Sequence, residues 1–394
     1  MNDSKKYSPT VFFVIGLIFF NVFLYKHSIF AQPNSRNINL NATIDLSLPL
    51  KLCLGKSSDK ISGSGIASDN ISSVFVAFPT GRIEKLHLLK NYTVWTSELG
   101  GEIVSEPVYD NDKVYLVTKI LINELTKGNV GGEQSTNYIL WSIDAGTGIT
   151  VWQFHFAATG YIYLNDFQNR LFLTVNDGTI ISISKFDAQK LYYKNIGVKF
   201  SSAPSFSEGK IYIATKDNSI VILSADNGEI VSKIPTLQSS ATTMITDGDK
   251  LYWGEEEGLV NLINLSNKNR IWSVRQGGEI SNLALVPGGV LVSSLDNFIY
   301  LISPQKGRKI WKRRLSGRIL AKPLITGSFV TFVTVVDQSA VVLDLRDGKI
   351  VNRISLEDKG FVLSTPQIVG NLLVFLTSKG IFAFDGSGLK CSVS

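Results

Sequence analysis

A repeat with a period close to 40 residues runs through most of this 394-residue chain, and it constrains the fold more than any other feature. The clearest copies place a tryptophan four residues after a glycine, as in DAGTGITVW ending at Trp152 and PQKGRKIW ending at Trp311. From 152 to 352 the equivalent positions recur every 39 to 41 residues, which predicts a stacked or circular array of one structural unit. The anchor positions are Trp95, Trp152, Tyr192, Ser232, Trp272, Trp311 and Asn352.

Within each period, four short apolar segments alternate with polar turns in a constant order. Residues 210–230, KIYIATKDNSIVILSADNGEI, show two of these segments and the turns that follow them. β-Branched and aromatic runs between Asp- and Gly-rich turns are typical of buried strands, and no segment has a sustained 3.6-residue apolar period. Four strands per 40 residues predict an all-β fold, an eight-bladed β-propeller of four-stranded antiparallel blades.

The aromatic anchors are predicted to join neighbouring blades. They fall on the last strand of each repeat, where a large flat ring can pack against the next sheet. The predicted blade-docking residues are Trp95, Trp152, Tyr192, Trp272 and Trp311.

Closing the ring requires a strand from outside the regular repeats. Seven anchors account for seven blades, and residues 361–385 supply three further strands without a fourth. We expect residues 42–50 of a leader spanning 32–60 to provide it, so that the propeller occupies 61–394 and no sheet edge stays exposed. The alternative is that residues 389–393 form the closing strand.

The N-terminus has the pattern of an export signal. Lys5 and Lys6 precede an apolar run from Val11 to Tyr25. Fifteen helical residues span roughly 22 Å, less than the hydrocarbon core of about 30 Å, which favours a cleaved signal peptide over an anchor while leaving both open. Residues 1–31 are therefore predicted to be a signal peptide or N-terminal membrane anchor that places the rest of the chain in the periplasm.

The repeat, with its D-x-x-T-G-x-x-x-W ending, resembles the PQQ-like (quinoprotein-type) β-propeller repeat. Together with the eight blades, the closing N-terminal strand and the export signal, it is similar to the BamB family over roughly residues 42–390. That resemblance implies a non-enzymatic scaffold, a monomer within the outer-membrane β-barrel assembly complex. Its implied partner is a BamA-like protein.

The resemblance also places the partner-binding loop. In the family an aliphatic and basic motif precedes an S-A-P strand, and here IGVKF precedes residues 202–204. The implied contact residues are Ile196, Val198, Lys199 and Phe200.

Two family features are absent from the sequence. The acidic positions of the next loop are occupied by Gln238 and Ser240, so the interface differs from the family pattern. No cysteine for lipid attachment follows the apolar segment, since Cys53 comes well after it.

No catalytic, cofactor-binding or metal-binding residues are predicted. Three scattered histidines and two cysteines form no zinc pattern, and His155 is interpreted as a strand residue. The acidic run Glu255–Glu257 is interpreted as a solvated turn. The alternatives are a PQQ-dependent quinoprotein oxidoreductase or sensor, or an anchored interaction propeller unrelated to barrel assembly.

Basic residues cluster around Trp311. Arg308, Lys312, Arg313 and Arg314 are a candidate contact for an anionic membrane surface or partner, although alternation along a strand would divide them between two faces. The net charge of +6 is modest for this length, and no nucleic-acid partner is predicted.

Two further features have more than one interpretation. Cys53 and Cys391 are a possible disulfide in an oxidising compartment. Residues 119–137 are a long insertion that is either functional or simply tolerated at the surface.

Overall fold

A computed structural model describes residues 44–57, 65–120, 136–237, 242, 244–319, 321–335 and 338–386. These residues form 33 β-strands and no helix. In chain order the strands are β1 (Lys51–Ser57), β2 (Ile66–Ser68), β3 (Ser73–Ala77), β4 (Arg82–His87), β5 (Tyr92–Glu98), β6 (Glu102–Ile103), β7 (Val108–Asp110), β8 (Lys113–Lys119), β9 (Thr136–Asp144), β10 (Thr150–Ala158), β11 (Ile162–Phe167), β12 (Arg170–Val175), β13 (Thr179–Ser184), β14 (Lys190–Asn195), β15 (Ser205–Ser207), β16 (Lys210–Thr215), β17 (Ser219–Ser224), β18 (Ile230–Pro235), β19 (Ile245–Asp247), β20 (Lys250–Gly254), β21 (Leu259–Asn264), β22 (Arg270–Arg275), β23 (Ile280–Val286), β24 (Gly289–Ser294), β25 (Phe298–Ile302), β26 (Lys309–Arg314), β27 (Leu324–Thr326), β28 (Phe329–Thr334), β29 (Ser339–Asp344), β30 (Ile350–Ser355), β31 (Gln367–Val369), β32 (Leu372–Thr377) and β33 (Gly380–Asp385).

The strands form eight antiparallel sheets, the blades, which are numbered here along the chain. Blade 1 is β2–β5, and blade 2 is β6–β10, in which β6 and β7 both pair with β8. Blades 3 to 7 each take the next four strands in order, and blade 8 consists of β31, β32, β33 and β1. The predicted eight-bladed propeller of four-stranded blades is therefore confirmed.

One hydrophobic cluster fills each of the eight interfaces between successive blades. The last interface closes the ring, because Val74 and Val76 of blade 1 pack with Val374 and Leu376 of blade 8. Every sheet is thus covered on both faces. This explains why the second and third strands of each blade are nearly continuous apolar runs.

The ring is closed by an N-terminal strand, but the predicted bounds of that strand are wrong. The closing strand is β1, Lys51–Ser57, which pairs antiparallel with β33. Residues 44–50 form a turn and extended chain instead. The edge of β33 is occupied by β1, and residues 389–393 lie outside the described part of the chain.

The segment 44–50 takes the place of the turn that precedes the outermost strand in the other blades. Asp45 Oδ1 accepts a hydrogen bond from the backbone of Ser47, as Asp144 Oδ1 does from Thr147 in blade 2. Ile44 and Leu46 are buried against blades 7 and 8. Their alternating apolar pattern reflects this turn and its packing rather than a strand.

The tryptophans of the outermost strands contact the next blade in a repeated geometry. In each case the indole Nε1 donates to a backbone carbonyl that follows the third strand of the neighbouring blade. The pairs are Trp95 with Ala145 (3.1 Å), Trp152 with Lys185 (3.0 Å), Trp272 with Pro304 (3.0 Å) and Trp311 with Leu345 (2.9 Å).

A turn glycine of the next blade lies against the ring in several of these contacts. A Cβ on Gly348 would lie 2.5 Å from Trp311, and one on Gly228 would lie 2.6 Å from the ring of Tyr192. Tyr192 occupies the same position as the tryptophans, with its hydroxyl buried and without a hydrogen-bond partner. Only glycine leaves room for this stacking, which explains why a turn glycine recurs with the aromatic anchor: the glycine of one repeat contacts the ring of the preceding blade, as Gly307 contacts Trp272.

Several predicted features fall partly or wholly outside the described residues. The export segment 1–31 lies outside them, and the insertion is described only at its ends, where Lys119 ends β8 and Thr136 begins β9. Cys53 is in a disulfide, whereas Cys391 lies outside the described residues, so the pairing stays a prediction. No helix in the described ranges is long and apolar enough to cross a membrane.

Candidate functional site

The loop between blades 3 and 4 carries the predicted partner-binding residues, and its backbone is held by both blades. Ile196 N donates to Gly178 O at 3.1 Å, and Phe200 N donates to Asn176 O at 2.9 Å. On the other side, Lys216 N donates to Lys199 O at 2.8 Å. The loop is therefore ordered by hydrogen bonds at several points along its length.

These residues differ in how much they present to solvent. Lys199 is exposed, and Ile196 and Val198 are partly buried. Phe200 is 3% exposed, bridges to Thr215 and packs in the interface between blades 3 and 4. Its position does not fit a direct contact with a partner; it supports the loop from beneath.

The same loop geometry recurs elsewhere on this rim with different chemistry. Ile319 and Val362 form bridges equivalent to that of Phe200, with Thr334 and Thr377 respectively. The residue preceding the bridge is Lys199 in one loop, but it is Arg318 and Phe361 in the others. All three are exposed, so one backbone framework presents a different side chain at each of these three interblade loops.

The turn beside the loop adds charge and apolar surface. Lys216 is exposed next to Lys199, and Leu237 is 64% exposed where the chain leaves blade 4. Asp217 accepts a hydrogen bond from Lys233 at 2.6 Å. This contact and hydrogen bonds from Thr215 and Ser219 lower the pKa of the Asp217 carboxyl. We call residues 196–199, 216 and 237 the blade 3–4 rim surface.

Gln238 and Ser240, which stand at the family's acidic positions, lie outside the described residues. The chemistry of the rim surface on the blade 5 side is therefore known only from the sequence.

Strand alternation divides the basic residues near Trp311 between two faces of β26. Arg313 is partly buried and donates from Nε to Gly348 O of blade 7 at 2.6 Å. Lys312 is exposed and its Nζ lies 5.3 Å from the centroid of the Phe298 ring. Arg308 and Arg314 are exposed. Arg313 thus has a blade-docking contact, and the remaining three offer cationic surface.

The acidic run in blade 5 is not uniformly solvated, which corrects the sequence-based interpretation. Glu255 is 1% exposed, and its Oε1 accepts hydrogen bonds from Trp253 Nε1 (3.0 Å) and Asn261 Nδ2 (3.1 Å). Desolvation raises the pKa of this carboxyl. Glu256 is exposed, as expected. Nothing in the local pattern EEE distinguishes the buried member from its neighbours.

A second buried ionic group lies between blades 2 and 3. Lys185 Nζ is 2.7 Å from Asp110 and also forms an ion pair with Asp166, and all three side chains are about nine-tenths buried. The Lys185 carbonyl accepts the Trp152 indole. Lys185 thus pairs with one carboxylate from each blade, and removing one partner would leave an unpaired buried charge at this interface. The sequence carried no signal for this network, since its members are 19 to 75 residues apart.

No group of three or more His, Cys, Asp and Glu side chains in the described ranges is arranged to hold a metal ion. His155 is exposed on β10, where it alternates with partly buried aromatic residues.

Fold and repeat together define an eight-bladed propeller of the PQQ-like class whose rim loops are ordered by neighbouring blades. A family model described as "Outer membrane protein assembly factor BamB" matches residues 51–162, 140–294 and 256–388. The chain therefore belongs to the BamB family.

Individual relatives are distant. BamB of Legionella pneumophila (strain Paris) is 25% identical over 140 residues, which is 35% of this chain and 36% of that protein. The match thus spans about a third of the curated relative's length.

Solved structures share the fold. BamB from Moraxella catarrhalis matches with a TM-score of 0.66 at 16% identity, covering 85% of this chain and 99% of that one. Quinohemoprotein alcohol dehydrogenase from Comamonas testosteroni also matches, with a TM-score of 0.66 at 10% identity, covering 91% and 80%. The computationally designed Ika8 protein matches with a TM-score of 0.67 at 14% identity, covering 84% and 97%.

Proposed function

We propose that this protein is a non-enzymatic periplasmic scaffold of the outer-membrane β-barrel assembly machinery and that it binds a BamA-like partner through the blade 3–4 rim surface. Membership of the BamB family supports the general role. The observation that carries the site is the ordered loop at 196–199, which presents two aliphatic side chains and a lysine.

Preordering is what makes this loop suited to binding. Association costs free energy for every flexible segment that it immobilises. Here the loop backbone is already fixed, because Ile196 N donates to Gly178 O and Lys199 O accepts from Lys216 N, so little of that cost falls on binding. The aliphatic side chains supply apolar contact area, and Lys199 complements a partner that carries negative charge.

The test compares two equivalent positions on the ring. Lys199→Glu and Val198→Glu change the proposed surface, whereas Arg318→Glu makes the same charge change in the equivalent loop between blades 6 and 7. Affinity for a purified BamA-like protein from the same bacterium is measured by biolayer interferometry, and folding is checked by circular dichroism. We expect both changes at 198 and 199 to weaken binding at least tenfold and Arg318→Glu to leave it within twofold.

Two results would overturn the proposal. One is the absence of binding by the unaltered chain. The other is an equal loss of affinity in Lys199→Glu and Arg318→Glu, which would show a response to net charge rather than to this surface.

A further inference from the structure

Positive charge is concentrated on the outer wall of blades 5 and 6. Each blade ends in a segment that consists of its last turn and its outermost strand, and in blade 6 this segment, residues 303–314, holds six Lys and Arg and no Asp or Glu. The segment of blade 5, residues 264–275, holds three Lys and Arg and no Asp or Glu. Because the whole chain has a net charge of only +6, the rest of it is net negative.

The opposite side of the ring lacks this charge. Blades 1 and 2 lie across the ring from blades 5 and 6, since eight blades follow one another in order and blade 8 meets blade 1. The equivalent segment of blade 2, residues 144–155, contains no Lys or Arg. That of blade 1, residues 87–98, contains one lysine and one glutamate. Such an uneven distribution orients a molecule near a charged surface.

The exposed cations of blade 6 have no acidic partner. No ion pair joins any of them to a carboxylate within the described ranges. On other blades, outer-strand lysines are paired, as Lys233 is with Asp217 (2.6 Å) and Lys349 with Asp347 (2.8 Å). The charge on blade 6 is therefore available to an external anion. The exposed residues are Lys306, Arg308, Lys309, Lys312 and Arg314.

A β-bulge brings three of these cations to one face of the outermost strand. Three alternate residues of β25 share a face, and their partners on β26 are Arg314, Lys312 and Lys309. Lys309 joins this set because the register shifts by one residue before it. Its Nζ lies 4.9 Å from the centroid of the Tyr300 ring, and Lys312 Nζ lies 5.3 Å from that of Phe298. These contacts position two ammonium groups without using their N–H donors in hydrogen bonds.

The extra residue of the bulge adds an apolar side chain among the cations. Ile310 lies between the paired residues Lys309 and Trp311 and is 50% exposed. Ile271 has the same position in blade 5, where it follows Arg270, and is 45% exposed. Cations beside exposed aliphatic side chains suit the surface of a bilayer, because headgroup phosphates attract the cations and the boundary with the acyl chains accepts the aliphatic groups.

We infer that the outer wall of blades 5 and 6 docks onto an anionic phospholipid surface. The Lys and Arg side chains of β26 contact headgroup phosphates, and Ile310 enters the boundary between headgroups and acyl chains. A soluble polyanion would match the charge but leave this isoleucine in water, so a bilayer fits the whole surface better. The wall is separate from the blade 3–4 rim surface, and the inference does not depend on the proposed function.

The test measures co-sedimentation of the full chain with vesicles of two compositions. One contains phosphatidylethanolamine with phosphatidylglycerol, and the other contains phosphatidylethanolamine with phosphatidylcholine and has no net charge. We expect tighter binding to the anionic vesicles, weakening as salt is added. Lys309→Gln combined with Lys312→Gln should lower the partition coefficient on anionic vesicles by about tenfold or more. The matched control combines Lys90→Gln and Lys190→Gln, which removes two exposed lysines from blades 1 and 3, and should stay within twofold.

A second pair of variants tests the apolar contact. Ile310→Ser should weaken binding to anionic vesicles severalfold. Val151 is the bulge residue of blade 2 and is 48% exposed, so Val151→Ser makes an equivalent change away from the cations and should have no effect. Equal effects of the two would overturn the entry of Ile310 into the bilayer and, with it, the choice of a bilayer over a soluble polyanion.

Three other results would overturn the inference. They are equal binding to anionic and uncharged vesicles, equal losses in the two lysine pairs, and displacement by inorganic phosphate at constant ionic strength, which would show a site for the free anion. All variants share the N-terminal apolar segment, so any binding through it cancels in the comparison. Every substituted residue is exposed, and circular dichroism checks that each variant is folded.

Discussion

At the residue scale, the docking of each blade depends on the fit between an aromatic ring and a glycine. Gly348 has a φ of +67°, and a Cβ there would lie 2.5 Å from Trp311 Cε3. Gly327 in the same blade has a φ of +55°, yet nothing lies within 4 Å of its Cβ position. The two glycines therefore share a conformation but differ in the ring contact.

This difference gives a matched pair of substitutions. Gly327→Ala should cost about 1 kcal/mol in unfolding free energy, the usual penalty for a side chain in the left-handed region. Gly348→Ala should cost roughly 1–3 kcal/mol more, because the methyl group displaces the indole. Urea denaturation measures both, and equal costs would contradict the docking role of the glycine.

A second residue-scale prediction concerns acid stability. The side-chain hydrogen bond from Lys113, followed by the backbone of Thr147, lowers the pKa of Asp144 to about 2. A carboxyl whose folded pKa is depressed contributes stability above its unfolded pKa, near 4, and loses it as pH falls through the folded value. Part of the stability should therefore disappear between about pH 4 and pH 2.

Asp144→Asn isolates this contribution. The side chain is about one-third exposed, so solvent screening limits the expected loss at pH 7 to about 1 kcal/mol. The variant and the unaltered chain should become equally stable near pH 2. Denaturant unfolding at pH 7, 4 and 2 provides the measurement, and a difference that is constant with pH would contradict the prediction.

The sequence predicts the aromatic anchors well and the buried Glu255 poorly. The anchors were identifiable because Trp152 and Trp311 recur in register with a turn glycine, and a repeat makes the same contact many times. Glu255 occurs once, and its burial depends on Trp253 and Asn261 from two strands of its blade. A position without a counterpart in other repeats offers no such comparison.

At the element scale, Asn352 replaces an aromatic anchor with a purely polar contact. Its Nδ2 donates to Leu46 O (3.1 Å) and Leu48 O (2.6 Å), so it ties blade 7 to the N-terminal segment. Ser232 occupies the same anchor position in blade 4, but its buried hydroxyl has no hydrogen-bond partner.

Replacing each by alanine should therefore have different effects. Asn352→Ala should cost about 1–3 kcal/mol, since two carbonyls lose their donor, whereas Ser232→Ala should be nearly neutral. Thermal and urea unfolding of the two variants give the comparison. A neutral Asn352→Ala would show that water replaces the amide and that this contact does not hold the segment.

The closing strand shows where pattern analysis fails for an element. The sequence predicts a closing strand over 42–50, because the last blade lacks a fourth strand, whereas the observed strand begins at Lys51. The turn signal was present, since Asp45 and Ser47 match the Asp-led turns of other blades. It was missed because this turn is separated from its own blade by nearly the whole chain.

At the scale of the whole molecule, the repeat fixes the number of blades, while ring closure determines which residues meet. Glu106 and Lys322 are 216 positions apart, and no local pattern links them. They belong to blades 2 and 7, whose innermost strands are arranged around one axis only because eight blades close into a ring. Relations across the ring are therefore invisible to sequence periodicity, unlike contacts between successive blades.

The same closure makes the N-terminal segment essential to the ring. Leu46 packs between blades 7 and 8, Leu54 packs between blades 8 and 1, and β1 pairs with the edge of β33. A chain that begins at residue 58 should lose several kcal/mol of stability, because two buried leucines are removed and one sheet edge is exposed. That edge can pair with a second molecule, so self-association should accompany the lower melting temperature. A chain that begins at residue 44 keeps all of these contacts and is the matched control. Calorimetry and sedimentation velocity compare the two in the presence of reductant, so that the disulfide of Cys53 contributes to neither chain. A monomeric short chain with an unchanged melting temperature would show that the ring holds without its eighth outer strand.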